Sequence, residues 1–396
     1  MAHSLTDEDL RSALRGVVDP ELGDNIVDLG MVRGVSVSSA GAVTVSVALT
    51  IAGCPLRAQL RRDVEARVSS LPGVASVEVL MGEMTATERS AVMERARWKA
   101  REDSAVAGSL PPSARVVAIA SGKGGVGKSS VSVNLAVALA QRGYAVGLLD
   151  ADIWGFSVPR MLGVRGRLSA EGTAEAWSIV PHTLGFGPGR LEVVSMGLLA
   201  ESEDAAIMWR GLMLNRAVQH FVENVAWGEL DYLLVDMPPG TGDVQMGLAR
   251  MLPRTEVLIV TTPPVAAARV AARVADMARK GWLRVAGVIE NMSGFTCEHG
   301  VTYELFGSGG GQSLADDIGA PLLGSVPFDP SVAAGGDAGR PAVLGDGPVA
   351  DAFASIVDRI LSEAIPPFEV GAEEMSGCTA RMLDAMEAAA GALPAS

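Results

Sequence analysis

Two hydrophobic patterns divide this chain near residue 113. After Arg115, short apolar runs alternate with longer segments of helical period, beginning with Val116–Ala120 and Val131–Gln141. Such apolar runs predict buried strands, and the segments between them predict covering helices. We therefore expect an α/β unit, a mostly parallel sheet flanked by helices on both faces. The further predicted strands are Val146–Leu149, Leu191–Met196, Tyr232–Val235, Val257–Thr261, Val285–Ile289 and Leu322–Val326, and the further predicted helices are Val265–Lys280 and Val349–Glu363.

The first 84 residues have a different pattern, which predicts a small α+β domain. The polar run Thr6–Asp9 favours a helix start, and Ala40-Gly41 separates two alternating runs as in a hairpin. A helical period follows over Leu56–Leu71, and then a last strand over Val74–Leu80. We predict domains over residues 1–84 and 114–365, a helical, proline-containing linker over 85–113, and an acidic, alanine-rich tail over 366–396.

Composition and charge narrow the classes of function. The net charge is −14, which argues against a nucleic-acid partner and against an anionic membrane surface. The N-terminus lacks the basic and apolar regions of a secretory signal, and no apolar run approaches the ~20 residues that span a bilayer. Three widely spaced cysteines do not form a disulfide framework. We expect a cytoplasmic protein without membrane or nucleic-acid partners.

Lysine is scarce, and its placement is informative. Of the 32 basic residues only four are lysines, and Lys123 and Lys128 lie within six residues of each other. A chain that otherwise uses arginine is expected to keep lysine where a compact ammonium is needed.

The two lysines belong to a phosphate-binding loop. The motif Gly-x-x-x-x-Gly-Lys-Ser runs from Gly122 to Ser129, after a predicted strand and before a predicted helix, which is the context it requires. Glycines allow backbone N–H groups to surround phosphates, Lys128 should reach the β- and γ-phosphates, and Ser129 should bind Mg²⁺. We predict that ATP contacts Gly122, Lys123, Gly124, Gly125, Val126, Gly127, Lys128, Ser129 and Ser130.

Aspartates at the ends of two other predicted strands extend this site. Asp150 and Asp152 follow one strand, and Asp236 ends another. In α/β folds the ligand lies at the carboxyl ends of the strands, and a carboxylate there can hold water around Mg²⁺. Each aspartate taken alone could instead cap a turn.

These motifs together resemble a known family. Lys123–Ser129 resembles the two-lysine phosphate loop of the MinD/ParA class of P-loop NTPases. Four further segments resemble the Mrp/ApbC-type iron–sulfur cluster carriers over residues 113 to 365, and an N-terminal pair resembles the iron–sulfur assembly domain that often precedes them. The four segments are Asp150–Pro159, Trp209–Gly211, Asp236–Asp243 and Glu290–Ser293, and the N-terminal pair is Asp19–Val32 and Gly53–Pro55.

The resemblance implies roles for individual residues. It implies that Lys123 crosses a dimer interface to the partner's nucleotide, that Asp152 orients the attacking water, and that Asp236 assists Mg²⁺ through its hydration shell. It also implies that Asn291 lies near the base. A lysine supplied by a partner can act on phosphoryl transfer as an arginine finger does. The implied catalytic residues are thus Lys123, Lys128 and Asp152.

The cysteines depart from the family pattern. Related carriers have Cys-x-x-Cys after the Asn-Met-Ser run, but here Gly300 stands in the place of the second thiol that would follow Cys297. Clusters are normally held by four thiolates. With one cysteine in this segment of each subunit, a dimer would supply only two, and His299 is the candidate for a further ligand. Cys297 is therefore either a cluster ligand or a loop thiol, and Cys54 either a transient ligand or a structural cysteine.

The hypothesis from sequence is a homodimeric ATPase that carries iron–sulfur clusters to acceptor apoproteins, using ATP and Mg²⁺. The alternative is a ParA/MinD-like switch or scaffold without a metal cluster, which the missing second cysteine favours.

Overall fold

The computed structural model describes residues 5–19, 22, 24–50, 56–85, 87–89, 92, 110–111, 113–152, 155–173, 177–199, 221, 224–240, 255–280 and 283–367. The chain divides into two compact units, one holding the described residues up to 92 and the other those from 110 to 367. Most of the predicted linker and nearly all of the predicted tail lie outside the described residues.

The first unit is a small α+β fold. Its first helix begins with a capping box, in which Thr6 Oγ1 accepts from the Asp9 backbone N–H and the Asp9 carboxylate accepts from the Thr6 N–H. The predicted hairpin is present, with Gly41 at φ 79° in its turn. The elements are α1 Asp7–Leu14, β1 Val18–Asp19, β2 Asp24–Asn25, β3 Val32–Val37, β4 Ala42–Leu49, α2 Arg57–Ser69 and β5 Ser76–Glu83.

The sheet of this unit mixes two kinds of strand pairing. Strands β3 and β4 pair antiparallel, whereas β5 pairs parallel to β4 after the chain crosses over through α2. A parallel pair needs such a crossover connection. Leu60 and Val64 of α2 are fully buried, as is Val45 of β4, so an apolar core forms in this small unit.

The second unit carries the predicted alternation of strands and helices. Every strand and helix predicted there is found, with shifts of a few residues at the ends. Its strands are β6 Arg115–Ser121, β7 Ala145–Asp150, β8 Ser169–Gly172, β9 Trp177–Val180, β10 His182–Phe186, β11 Gly189–Ser195, β12 Tyr232–Asp236, β13 Glu256–Thr261, β14 Arg284–Asn291, β15 Phe295–Thr296, β16 Thr302–Tyr303 and β17 Leu322–Val326. The described α-helices are α3 Lys128–Gln141, α4 Val158–Met161, α5 Val265–Lys280, α6 Gly310–Ile318, α7 Pro330–Asp337 and α8 Pro348–Arg359.

Eight of these strands form one sheet in the order β10-β11-β7-β12-β6-β13-β14-β17. All neighbours are parallel except β10, which pairs antiparallel to β11 at the edge. The predicted fold class is confirmed. The edge strand β10 and the short hairpins were not predicted, because their exposed or mixed sequences lack a strong apolar period.

Helices cover both faces of the large sheet. Val116, Ala118 and Ala120 of β6 pack in one apolar cluster with α5 and α6. Val117 and Ile119 point to the other face and pack with α3 and α8. This alternation follows from the two-residue period of a strand. The carboxyl ends of β6, β7, β12 and β14 consequently reach the same edge of the sheet, where loops carry the polar residues.

Candidate functional site

The phosphate loop connects the end of β6 to the start of α3. Gly125 and Gly127 have φ angles of 80° and 78°, which L side chains rarely adopt. Gly122 is required for a different reason, since a Cβ there would lie 2.5 Å from the backbone carbon of Val270 in α5. The glycines of this loop thus serve two needs, backbone conformation and close approach.

The backbone amides of this loop have no partners among the described residues. The N–H groups of residues 123 to 127 donate no hydrogen bond to any described residue. A Cβ built on Gly125 would meet no atom within 4 Å, so the loop faces open space there. Unpaired amides beside the N-terminus of a 14-residue helix form a site suited to an anion.

Asp236 is the centre of the polar network behind the loop. Its carboxylate lies 2.7 Å from Lys128 Nζ and accepts hydrogen bonds from Ser129 Oγ at 2.6 Å and Ser132 Oγ at 2.7 Å. Asp236 is fully buried and Lys128 is 6% exposed. A buried charge needs an opposite charge and hydrogen bonds, and this carboxylate has both. The structure thus brings together three predicted residues: Lys128, Ser129 and Asp236.

Ser132 is a member of this network that the motif did not identify. It lies four residues after Lys128, so the two side chains share a face of α3. Its hydroxyl contacts both the Lys128 carbonyl oxygen, at 3.1 Å, and the Asp236 carboxylate. The spacing from the loop lysine was the signal that could have found it.

Asp150 lies beside Asp236 on the neighbouring strand, and the two residues are register partners. Burial, and then the charge of Asp236, raises the pKa of Asp150 to about 7, although Lys128, the Ser195 hydroxyl and the Asp152 N–H act in the opposite direction. Ser195 Oγ donates to the Asp150 carboxylate at 3.0 Å. Ser195 was not predicted; it becomes a neighbour of Asp150 because β11 pairs with β7.

Asp152 lies just beyond the end of β7 and is partly exposed. Its backbone N–H donates to Asp150 at 3.2 Å, and its carboxylate accepts from the Gly155 N–H at 3.1 Å. The following residues 153 and 154 lie outside the described residues, as does the predicted segment Trp209–Gly211. Asp152 thus stands at the rim of the site with its carboxylate held by the local turn.

Asn291 ends β14 and contacts the phosphate loop. Its amide Nδ2 donates to the Val126 carbonyl oxygen at 2.9 Å, and a Cβ on Gly127 would overlap this nitrogen. The next residue, Met292, has φ 59°, in the left-handed region that non-glycine residues rarely occupy. The close approach of Asn291 to the phosphate loop is a second reason for glycine at position 127. The predicted position of Asn291 near a base remains a prediction.

Two predicted residues of the loop region stand apart from the buried network. Lys123 is exposed, and its ammonium has no partner among the described residues. The carbonyl oxygen of Ser130 accepts from Asn134 Nδ2 at 2.8 Å within α3, and Ser130 itself is partly exposed.

Cys297 lies in a small hairpin that follows β14. Strands β15 and β16 pair antiparallel, the Cys297 N–H donates to Val301 at 3.0 Å, and the Gly300 N–H donates to Cys297 at 2.9 Å. The thiol is free and partly exposed. Gly300 has φ 78°, and the side chain of His299 is 79% exposed. The structure does not join Cys297 to the Asp236 network, and the other candidate thiol, Cys54, lies outside the described residues.

Exposed apolar side chains surround this hairpin. Phe295 stacks on Tyr303 with ring centroids 6.5 Å apart, and Phe328 meets both Phe295 and Phe306 edge to face. Tyr303 and Phe306 are 48% and 44% exposed. Large exposed apolar groups close together are typical of a surface that another protein covers. Val301 and Leu305, at 50% and 55% exposed, extend the same segment.

The described part of the chain holds neither a cluster of metal-binding side chains nor a helix suited to crossing a membrane. No group of three or more His, Cys, Asp or Glu side chains there is arranged to hold a metal ion. None of the described helices is both long and apolar enough to cross a membrane.

Family profiles match both parts of the chain. Residues 113–361 match the family described as NUBPL iron-transfer P-loop NTPase. Residues 7–80 match the family described as iron–sulfur cluster assembly protein. The two profiles cover the α/β unit and the small N-terminal unit, respectively.

Similar proteins are known from several organisms. An iron–sulfur cluster carrier protein of Mycobacterium leprae is 42% identical over 360 residues, which is 89% of this chain and 91% of that protein. A carrier of the same name from Deinococcus radiodurans is 43% identical, over 85% of this chain and 88% of its own length. Among solved structures, a nucleotide-binding protein of Archaeoglobus fulgidus in complex with ADP is 33% identical. It covers 60% of this chain and 91% of its own, with a TM-score of 0.51.

Proposed function

We propose that this chain, which belongs to the NUBPL iron-transfer P-loop NTPase family, hydrolyses ATP as a homodimer, binds iron–sulfur clusters and transfers them to apoproteins. The observation that carries the proposal is that one strand, β14, connects the phosphate loop with the segment that holds Cys297. Its last residue, Asn291, contacts the phosphate loop through Val126, and six residues later Cys297 presents a free thiol.

The nucleotide half rests on the loop and the groups behind it. The unpaired amides of residues 123 to 127 are suited to phosphate oxygens, and Lys128 supplies a positive charge beside them. Mg²⁺ prefers oxygen ligands, and Ser129 Oγ and Asp236 Oδ2 lie 2.6 Å apart. Ser129 would bind the ion, and Asp236 would hold its water. The ion would neutralise charge that develops on the transferred phosphoryl group.

The hydrolytic step depends on positioning more than on covalent chemistry. Asp152, at the rim of the site, would orient the attacking water. Lys123 would reach the nucleotide of the partner subunit, a role that its exposure and its lack of a partner among the described residues support. ATP would thereby hold two subunits together, and hydrolysis would release them.

The cluster half rests on Cys297 and on the apolar surface around it. Two subunits that meet through this surface would bring two Cys297 thiolates together, and clusters commonly need further ligands. His299 lies in the same hairpin and is exposed enough to add an imidazole. Because Asn291 contacts the loop through Val126, a change in the loop on hydrolysis would be passed along the short segment to the thiol. We place this activity in the cytoplasm, where free thiols persist.

Anaerobic reconstitution with iron and sulfide tests cluster binding. The wild-type chain should retain iron and sulfide with the visible absorption of a cluster, and Cys297→Ala should lose both. Cys378→Ala is the matched control, since it removes one thiol from the tail, and it should retain the wild-type amount. If wild type holds no more iron than Cys297→Ala, cluster binding at this hairpin is wrong.

Transfer is tested with the apo form of a cluster-dependent enzyme, whose recovered activity reports receipt of a cluster. Reconstituted wild-type protein should restore this activity, and adding ATP should change the rate. Cluster retention without any transfer would leave a storage protein, which contradicts the carrier role.

A second candidate is an ATP-driven switch or scaffold without a cluster, of the ParA/MinD kind. The observation that favours it is Gly300, which leaves one thiol per subunit in the hairpin. ATP-dependent dimerisation of a protein that carries no iron, both as purified and after reconstitution, would make this the better account.

A further inference from the structure

A cavity of about 520 Å³ lies in the second unit, apart from the phosphate loop. Its walls come from Phe156, α4, the loop that follows α4, the 3₁₀ turn Met196–Leu199, and the last residue of α7 with the chain just after it. No residue from Gly122 to Ser129 lines it. Cavities of roughly 300–1,000 Å³ are those that bind small molecules.

Close backbone packing and hydrogen bonds hold the walls of this cavity. Gly163 and Gly339 have φ angles of 66° and 68°, and a Cβ on Gly339 would lie 2.6 Å from Gly163 Cα. The loop after α4 is held at both ends, since the Val164 N–H donates to Pro159 at 2.8 Å and the Leu168 N–H donates to Leu198 at 3.2 Å. A site whose walls are fixed in advance loses little entropy on binding.

Three arginines give the cavity a positive charge. Arg160 lies 3.8 Å from Asp337, the single acidic residue of the lining. Arg165 and Arg167 have no hydrogen-bond or ion-pair partner among the described residues. Three cations against one carboxylate leave a positive lining in a protein of net charge −14.

Several other arginines of this unit have acidic partners close by. Arg142 lies 2.6 Å from Asp358, and Arg190 lies 3.0 Å from Glu192. Arg165 and Arg167 differ because they share one cavity and face no carboxylate of their own. Guanidinium groups bind carboxylate and phosphate groups through two parallel hydrogen bonds.

The rest of the lining is largely apolar. Phe156, Pro159, Val164 and Leu198 contribute side chains. Phe156 packs so closely on Gly197 that a Cβ there would overlap the ring. An apolar wall opposite charged groups matches an organic molecule that carries anionic groups.

We propose that this cavity binds a small organic polyanion, whose carboxylate or phosphate groups pair with Arg165 and Arg167 while its carbon skeleton packs on Phe156 and Leu198. No residue of the phosphate loop or of the hairpin that carries Cys297 lines the cavity. The proposal therefore stands whether or not the chain carries a cluster.

Isothermal titration calorimetry on the full chain tests the site with two probes, pyrophosphate and citrate, added separately. Saturating ADP in metal-free buffer occupies the phosphate loop beforehand. Wild type should bind at least one probe, and the probe that binds more tightly identifies phosphate or carboxylate as the preferred group. Arg165→Gln/Arg167→Gln should weaken that binding at least about tenfold, because charge-assisted hydrogen bonds are lost.

The matched control is Arg61→Gln/Arg273→Gln, which removes the same charge from exposed arginines outside the cavity. It should bind the probe as wild type does. Arg165 and Arg167 are exposed and unpartnered among the described residues, so the cavity variant should keep its melting temperature, and each single variant should give an intermediate affinity. Absence of binding of both probes to wild type would overturn the proposal, as would equal weakening in the control.

Discussion

The polar network behind the phosphate loop and the hairpin that carries Cys297 differ in burial. Behind the loop, Lys128 and Asp236 are 6% and 0% exposed, and every hydrogen-bonding group of the pair has a near partner within the same subunit. The hairpin has two-residue strands, a partly exposed Cys297 and a neighbouring Tyr303 that is 48% exposed.

The difference in burial indicates whether one subunit or two supply the groups of each site. A buried charge network has to be satisfied within one chain, because leaving a buried charge unpaired is costly. A partly exposed thiol among exposed aromatic side chains does not have to be paired within its own chain, so groups from a second chain can join it in one site. The nucleotide site is thus largely assembled in the subunit, whereas the proposed cluster site requires a second one.

The largest expected effect comes from removing the buried cation. Lys128→Ala should abolish ATP hydrolysis and lower the free energy of unfolding by about 3–5 kcal/mol, because Asp236 would be left as an uncompensated buried charge. Lys280→Ala is the control, since Lys280 pairs with Asp276 at 2.8 Å but is 73% exposed. Its loss should cost at most about 1 kcal/mol. Urea unfolding and phosphate release measure the two effects, and equal destabilisation would contradict the role of burial.

Lys123→Ala tests whether the nucleotide site also needs a second subunit. ATP affinity should stay near the wild-type value, while hydrolysis falls by about 10³-fold, since a cation supplied by a partner stabilises the transition state. Filter binding and single-turnover hydrolysis separate the two. A loss of ATP affinity as large as that of Lys128→Ala would refute the role across the interface.

Mixing two inactive variants sharpens this test. Lys123→Ala and Asp152→Ala subunits, if they exchange freely, form hybrid dimers with one complete site. The mixture should recover about a quarter of wild-type activity, because half of the dimers are hybrids and each has one of two sites. Lack of any recovery would place Lys123 and Asp152 in the same subunit's site.

The pH dependence of stability tests the burial of the aspartate pair. Asp150 has an ordinary pKa of 3.8 when unfolded and a pKa raised to about 7 in the folded state. Between these values the folded state retains a proton that the unfolded state has released, so stability falls as pH rises and levels off above about 7. Asp150→Asn should remove this contribution, which amounts to a slope of at most about 1.4 kcal/mol per pH unit. Urea unfolding of both proteins without nucleotide measures it, and identical slopes would contradict the shift.

The smallest effect on stability is expected in the hairpin. Gly300→Cys places a residue at φ 78°, which costs about 1 kcal/mol, but a Cβ there meets no atom within 4 Å. The variant doubles the thiols that a dimer can offer to a cluster, so it should retain more iron after reconstitution than wild type. Gly300→Ser has the same backbone strain without the thiol and serves as control. Equal iron in the two variants would contradict a cluster site at this hairpin.

Much of this fold could be predicted because its signals are local. The apolar runs of β6, β12 and β13 are buried on both sides, and such strands stand out in a sequence without knowledge of their neighbours. The phosphate loop is likewise a continuous motif, so its residues were identified from eight consecutive positions. The hairpin around Cys297 could not be identified in this way, because strands of two residues are too short to show an alternation of apolar and polar positions.

Local sequence patterns specify the phosphate loop, its two lysines and the alternation of strands and helices that builds the sheet. The packing of the folded chain selects which distant groups meet them. Ser132 and Asp236 are 104 residues apart, and the packing of α3 on the sheet places them 2.7 Å from each other. Ser195 and Asp150 are 45 residues apart, and the pairing of β11 with β7 places them 3.0 Å from each other. The arginine-lined cavity arises in the same way, from loops that two left-handed glycines allow to touch. Local patterns record burial and backbone conformation, whereas a partner for a buried charge is selected by the packing of the whole sheet.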